Sequence, residues 1–193
     1  EIIPAAIEKL NVQAHLFNHY WEDIGTIRAF YQANLDLASP LPKFDFFNDA
    51  DPIYTRSRYL PPSKIHACDI DNSMISEGCI LNGVYARNSI IGLRSRIDER
   101  VRIENSIIMG ADFFESFEEI QRNFSLSKPH VGVGENSIIS RAIIDKNARI
   151  GKNVRLINPH NIETLDGENG CYFIREGIII VPKNATVPDG TEI

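Results

Sequence analysis

Ile91-Gly92-Leu93-Arg94-Ser95-Arg96-Ile97-Asp98-Glu99-Arg100-Val101-Arg102-Ile103-Glu104-Asn105-Ser106-Ile107-Ile108-Met109-Gly110 carries an apolar residue at every sixth position: Ile91, Ile97, Ile103 and Met109. The same step recurs downstream in Ile138, Ile144, Ile150 and Leu156, and again in Val181, Val187 and Ile193. Gly or an acidic residue often follows the rung, as at Gly92, Asp98, Glu104, Gly110, Asp145 and Gly151. The fourth position after it is small or β-branched: Ser95, Val101, Ile107, Ala142, Ala148, Val154, Ala185 and Thr191. A period of six fits neither the 3.6-residue turn of a helix nor the strict alternation of a half-buried strand. It fits a coil of three short flat faces, one hexapeptide per face, with two positions in six pointing inward and aliphatic residues stacking from coil to coil. A β-sandwich with chance sixes is the competing arrangement, and eleven apolar rungs in three sets argue against it.

Outward from the repeat, two stretches interrupt it. Residues 111–129 space Phe113, Phe114, Phe117, Ile120 and Phe124 by threes and fours among polar residues, which predicts a short helix or ordered loop packed outside the coil. Residues 158–177, rich in Asn, Glu and Gly, are the second insertion, and insertions in solenoids emerge as loops on one face. Upstream, residues 12–17 read as a strand, 21–26 as a loop and 26–37 as an amphipathic helix that packs through Ile27, Phe30, Tyr31, Ala33 and Leu35. Thr26, or Asp23 a little earlier, would cap that helix. Pro40 and Pro42 end it, since proline removes a donor and disfavours helix in the residue before it. The expected organisation is an α/β element over residues 1–38, a linker over 39–64 and the coil over 65–193.

Composition narrows the function classes. The 193 residues are 43% hydrophobic and 24% charged, ordinary for a globular chain and enough for a core. No apolar run approaches the roughly 20 residues that cross a bilayer, and residues 1–10 lack the pattern of a signal peptide. The chain opens on Glu1 directly into a structured-looking pattern, so it is expected to begin inside a longer protein. Cys68, Cys79 and Cys171 are too few and too irregular for a disulfide framework or a zinc set and read as core residues in a reducing compartment. A net charge of −6 argues against nucleic-acid binding through a whole-protein field, so functional cations are to be sought in local clusters. Asp23, in a loop, has the hard oxygen ligand that suits magnesium, but from spacing alone the stronger reading is a helix-start carboxylate favoured by the helix dipole.

Three motif groups carry a resemblance: Tyr20-Trp21-Glu22-Asp23-Ile24-Gly25-Thr26; Pro52-Ile53-Tyr54-Thr55-Arg56-Ser57-Arg58-Tyr59-Leu60-Pro61-Pro62-Ser63-Lys64; and, within the coil, Ile91-Gly92-Leu93-Arg94-Ser95, Met109-Gly110-Ala111-Asp112 and Ile144-Asp145-Lys146-Asn147-Ala148-Arg149-Ile150-Gly151. Together, along essentially the whole chain, they resemble the C-terminal portion of glucose-1-phosphate adenylyltransferase, or ADP-glucose pyrophosphorylase. The resemblance implies a mainly β fold: a left-handed parallel β-helix, its hand taken from the family, preceded by the C-terminal end of an α/β nucleotidyltransferase domain. It implies a parent that makes ADP-glucose and pyrophosphate from ATP and glucose 1-phosphate with Mg2+, for starch or glycogen synthesis. Asp23 would be one metal carboxylate and Trp21 would line the glucose pocket. No Gly-x-Gly-Thr-Arg-like nucleotide loop occurs in this sequence, so the chain alone is expected to be inactive, with no catalytic residue of its own. Arg56, Arg58, Lys146 and Lys183 would bind a phosphorylated sugar-acid effector, with orthophosphate competing. Pro182 departs from the aliphatic residue that many relatives have before that last lysine, which loosens the effector's identity. The family further implies a homo- or heterotetramer in bacterial cytoplasm or plastid stroma, without nucleic-acid or membrane partners. Two other readings stand beside it: a hexapeptide-repeat acyltransferase, for which His130 is the nearest catalytic histidine but shows no carboxylate partner in the sequence, and a purely regulatory or assembly subunit.

Overall fold

The computed structural model describes residues 2–50 and 52–193. From Lys64 onward the chain winds through three parallel sheets. The first face stacks Lys64–His66, Ile80–Asn82, Arg96–Ile97, Gly132–Val133, Arg149–Ile150 and Thr186–Val187. The second stacks Asp69–Asp71, Tyr85–Arg87, Arg102–Glu104, Ile138–Ser140 and Arg155–Leu156. The third stacks Met74–Ile75, Ile90–Ile91, Ile107–Ile108, Ala142–Ile144 and Ile178–Val181, and is widened by two antiparallel strands, Phe173–Arg175 and Thr164–Asp166. Ile80 pairs with Arg96 and Tyr85 with Arg102, so one coil consumes sixteen or seventeen residues.

Three aliphatic columns fill the interior. Leu81, Ile97, Val133, Ile150 and Val187 stack on the first face, Ala86, Ile103, Ile139 and Leu156 on the second, and Ile91, Ile108, Ile144 and Val181 on the third, all buried. Two rungs read from the sequence are corrected here. Ile108, not Met109, takes the inward position, and Ile139, not Ile138. Both errors have one cause: the corner from the second face to the third takes five residues, from Ala86 to Ile91, Ile103 to Ile108 and Ile139 to Ile144, and a uniform six overshoots it.

That tight corner is held by a serine ladder. The hydroxyls of Ser73, Ser89 and Ser106 accept from the backbone N–H of Ser89, Ser106 and Ala142 in the next coil, at 3.2 Å each. Each donates to the carbonyl two residues back, on Asp71, Arg87 and Glu104. Buried Ser89 and Ser106 are thereby fully satisfied, which is what lets a polar residue sit in this core. Asn72, Asn88 and Asn105 just before them have positive φ, a conformation that Asn tolerates better than most residues.

Outside the coil, helix α1 (Ile2–Ile7) is exposed along most of its length, and residues 11–18 form no strand, contrary to the expectation for 12–17. Val12, Leu16 and Phe17 are exposed there and no neighbouring strand pairs with the segment, so nothing stabilises an extended ladder. Helix α2 (Ile27–Asp36) forms as expected, capped by Thr26, whose hydroxyl accepts from Ala29 N–H at 3.1 Å. It lays Phe30, Tyr31 and Leu35 over outward-facing Ile90, Ile107, Ile143 and Ile178 of the third face. Ile107, expected to point inward, is instead buried by this helix. The insertion after Ala111 contains helix α3 (Phe117–Ser125), started by a reciprocal Ser116/Glu119 capping box.

Candidate functional site: two lysines on one carboxylate

The corner between the third and first faces is a ladder of turns. Gly78 N–H donates to Pro61 O, Arg94 to Glu77, Ala111 to Leu93, Asn147 to Gly110 and Asn184 to Lys146, at 2.8–3.1 Å. Asn147 (φ 61°) and Asn184 (φ 62°) both turn the chain in the left-handed region, so the lysine preceding each leaves the coil at the same point of the turn. Lys146 and Lys183 thus stand one coil apart with the same exit.

Their ammonium groups meet on Asp112, at the root of the first insertion. Lys183 Nζ lies 2.7 Å from Asp112 Oδ2 and Lys146 Nζ 3.3 Å from Oδ1. Asn147 Nδ2 also donates to Asp112 Oδ2 at 3.1 Å, while Asn147 Oδ1 accepts from Asp112 N–H at 2.8 Å. The hydrogen bond from Lys183, with those from Asn147 and Lys146, holds the Asp112 carboxyl down at about 2. The same bond pushes the Lys183 ammonium up from its usual value. Asp112, Lys146 and Lys183 keep 39%, 35% and 50% of their side-chain surface exposed, so the cluster faces solvent and each pair is weak.

Of the residues singled out in sequence, the structure brings Lys146 and Lys183 together. Arg56 and Arg58 lie on the exposed segment entering the coil, where Arg58 Nη1 donates to Arg56 O at 3.1 Å. That segment reaches the foot of the corner ladder at Pro61, four coil steps below Lys146, or about 19 Å at the usual strand spacing. Trp21 is 76% exposed, and Asp23 Oδ1 accepts from Gly25 N–H at 2.9 Å in a turn before α2. No group of three or more His, Cys, Asp or Glu side chains that could hold a metal ion forms around Asp23 or elsewhere among the described residues. Sequence reading missed Asp112 and Asn147 as members of the site. The available signal was the repeated Lys-Asn pair, Lys146-Asn147 and Lys183-Asn184, on either side of an insertion.

His130 does have a carboxylate partner, which corrects the sequence reading. Its Nε2 lies 2.9 Å from Asp98 Oδ2 and its Nδ1 2.8 Å from Val131 O, so both nitrogens are engaged within the chain. Burial works to raise the Asp98 carboxyl, but the His130 hydrogen bond and charge, with Arg96, outweigh it and hold it below its usual value. The neighbouring Glu115 is more deeply set, its side chain 5% exposed. It binds Arg149 Nη1 at 2.8 Å, Val131 N–H at 2.6 Å and Asn123 Nδ2 at 2.8 Å. These groups fasten the insertion to the coil. A general base needs a nitrogen within reach of a substrate proton, and His130 offers none in this arrangement.

Stacked hexapeptide coils with parallel sheets on three faces define a parallel β-helix protein. Residues 58–192 match the family model described as the GLGC left-handed parallel beta-helix domain, and the chain belongs to that family, which also supplies the hand of the coil. The match relates the chain to the C-terminal part of ADP-glucose pyrophosphorylases, a family of nucleotidyltransferases.

Proposed function

We propose that the chain is the C-terminal part of a glucose-1-phosphate adenylyltransferase, and that the Lys146/Lys183 corner is its effector site for a phosphorylated sugar acid, with orthophosphate competing. The observation that carries this reading is the convergence of two lysines from successive coils on one carboxylate-sized position. Ammonium groups held by a repetitive backbone suit a small ligand bearing phosphate and carboxylate, because charge-assisted hydrogen bonds to both are strong. In this reading α2 ties the preceding segment, with Trp21 and Asp23, to the third face, so strain at the corner has a mechanical route through the coil. Trp21 would pack against glucose 1-phosphate. Asp23 would supply one of the one or two carboxylates that magnesium takes alongside phosphate oxygens, and the ion would neutralise phosphate charge in the attack on ATP. This chain without a nucleotide loop performs no such step alone, and assembly into a tetramer belongs to the same proposal.

The test is the initial rate of ADP-glucose formation by the longer protein containing this chain, with and without 3-phosphoglycerate and orthophosphate. Lys146→Ala and Lys183→Ala should lose most activation while keeping the basal rate. A wild-type protein that makes no ADP-glucose from ATP and glucose 1-phosphate overturns the adenylyltransferase reading.

A further inference from the structure

We infer that Asp112 is a resident stand-in for the ligand's acid group: its carboxylate occupies the anion position between Lys146 and Lys183, and binding proceeds by displacing it. This rests on the effector-site reading above and adds how the site is regulated.

The geometry is that of a filled anion site. One carboxylate takes Lys183 on one oxygen and Lys146 on the other, and Asn147 Nδ2 completes the first oxygen's shell. An external carboxylate or a pair of phosphate oxygens would need the same donors. The backbone beneath Asp112 is anchored independently, through its own N–H to Asn147 Oδ1 and through Ala111 N–H to Leu93 O. The side chain is 39% exposed and can rotate out without unfolding the turn. Among the described residues, the hydrogen bonds and ion pairs on the Asp112 carboxylate are those from Lys146, Lys183 and Asn147.

Charge decides which ligand succeeds. Lys146 and Lys183 face Asp112 directly, and Asp145 is nearby, its Oδ1 accepting from Lys146 N–H at 2.6 Å. With both carboxylates in place the two ammonium charges are already balanced, so a monoanion gains little. A dianion or trianion recovers more by taking both lysines once Asp112 swings away. The site therefore favours ligands carrying a phosphate over simple carboxylates, and Asp112 sets a threshold on their affinity.

The experiment is calorimetric titration of this chain with inorganic phosphate and, separately, 3-phosphoglycerate at fixed ionic strength, comparing wild type with Asp112→Asn and Asp112→Ala. The Asn variant keeps an acceptor for Asn147 and guards against a folding artefact, which circular dichroism checks directly. Both variants should bind about three- to tenfold more tightly than wild type, and adding Lys183→Ala to Asp112→Asn should abolish the gain. Wild-type binding with equal or weaker binding by the Asp112 variants overturns the stand-in role and leaves the effector site standing. Tighter binding that survives Lys183→Ala also overturns it, by placing the anion elsewhere. If neither wild type nor variants bind either anion, the effector-site reading itself fails.

Discussion

Replacing Ile139 by alanine should destabilise the chain strongly, whereas the same change one residue earlier, at Ile138, should not. Ile139 is fully buried between Ile103 and Leu156 in the second-face column. Truncation removes three carbons, about 2.4 kcal/mol at about 0.8 kcal/mol per buried methylene. The rungs above and below are held by ladder hydrogen bonds from Arg102 N–H to Ser137 O and from Ile138 N–H to Val154 O, so the column cannot collapse and a cavity term adds to the loss. The total is about 3–4 kcal/mol. Ile138 lies on the outer side of the same strand, in register with Arg102 and Arg155, and is only half-buried. Its truncation should cost about 1 kcal/mol or less. Urea denaturation followed by far-ultraviolet circular dichroism would show a large fall in midpoint for Ile139→Ala and a small one for Ile138→Ala. Equal costs, or the reverse order, would refute the five-residue corner, because a uniform step of six puts Ile138 inside.

Other perturbations probe separate parts of the argument. Ser106→Ala removes the acceptor of Ala142 N–H and the donor to Glu104 O inside the core; it should cost about 1–3 kcal/mol in a denaturation curve. Glu115→Ala leaves Arg149, 12% exposed, without its carboxylate, and should cost about 3 kcal/mol while opening residues 111–130 to limited proteolysis, with cleavage unchanged from wild type counting against the clamp. Gly110→Ala would drive a methyl group into the Leu93 carbonyl oxygen at a positive φ of 84°, shifting the turn that carries Asp112 away from the lysines, and phosphate affinity measured by titration should rise, as is expected for the Asp112 variants. Acid titration addresses Asp98 and Asp112, whose folded carboxyls both lie below the ordinary 3.8. Their contribution is present above 3.8 and is lost as pH falls below it, for Asp112 toward about 2, so stability should decline over that window and decline less in an Asp98→Asn, Asp112→Asn double variant.

The parallel β-helix was legible in sequence because its defining interaction is repetitive. An aliphatic residue that must stack on its equivalent leaves a period of six, and Ile91, Ile97, Ile103, Ile144, Ile150, Leu156, Val181 and Val187 all sit where that period puts them. The start of α2 was equally legible, since a cap is a local contact between Thr26 and Ala29. The insertion was legible only as a short helix or ordered loop, from its apolar spacing; the structure adds the Ser116/Glu119 capping box that makes it a helix. The lysines came from a resemblance, and the repeated Lys-Asn pair would have linked them to a common corner.

What the sequence determined by itself was therefore what depends on neighbours along the chain or on a fixed period: the solenoid class, its interruptions and the helix over residues 27–36. What only the tertiary structure decided depends on contacts across coils. The five-residue corner moves Met109 and Ile138 out of the core, α2 buries outward-facing Ile107, and His130 finds Asp98 from another coil. Asp112 likewise meets Lys146 and Lys183 across insertions of unrelated sequence. A period records which residues stack, but the length of a turn and the far partner of a side chain are set by how the coils close on one another, and that leaves no regular mark in the order of residues.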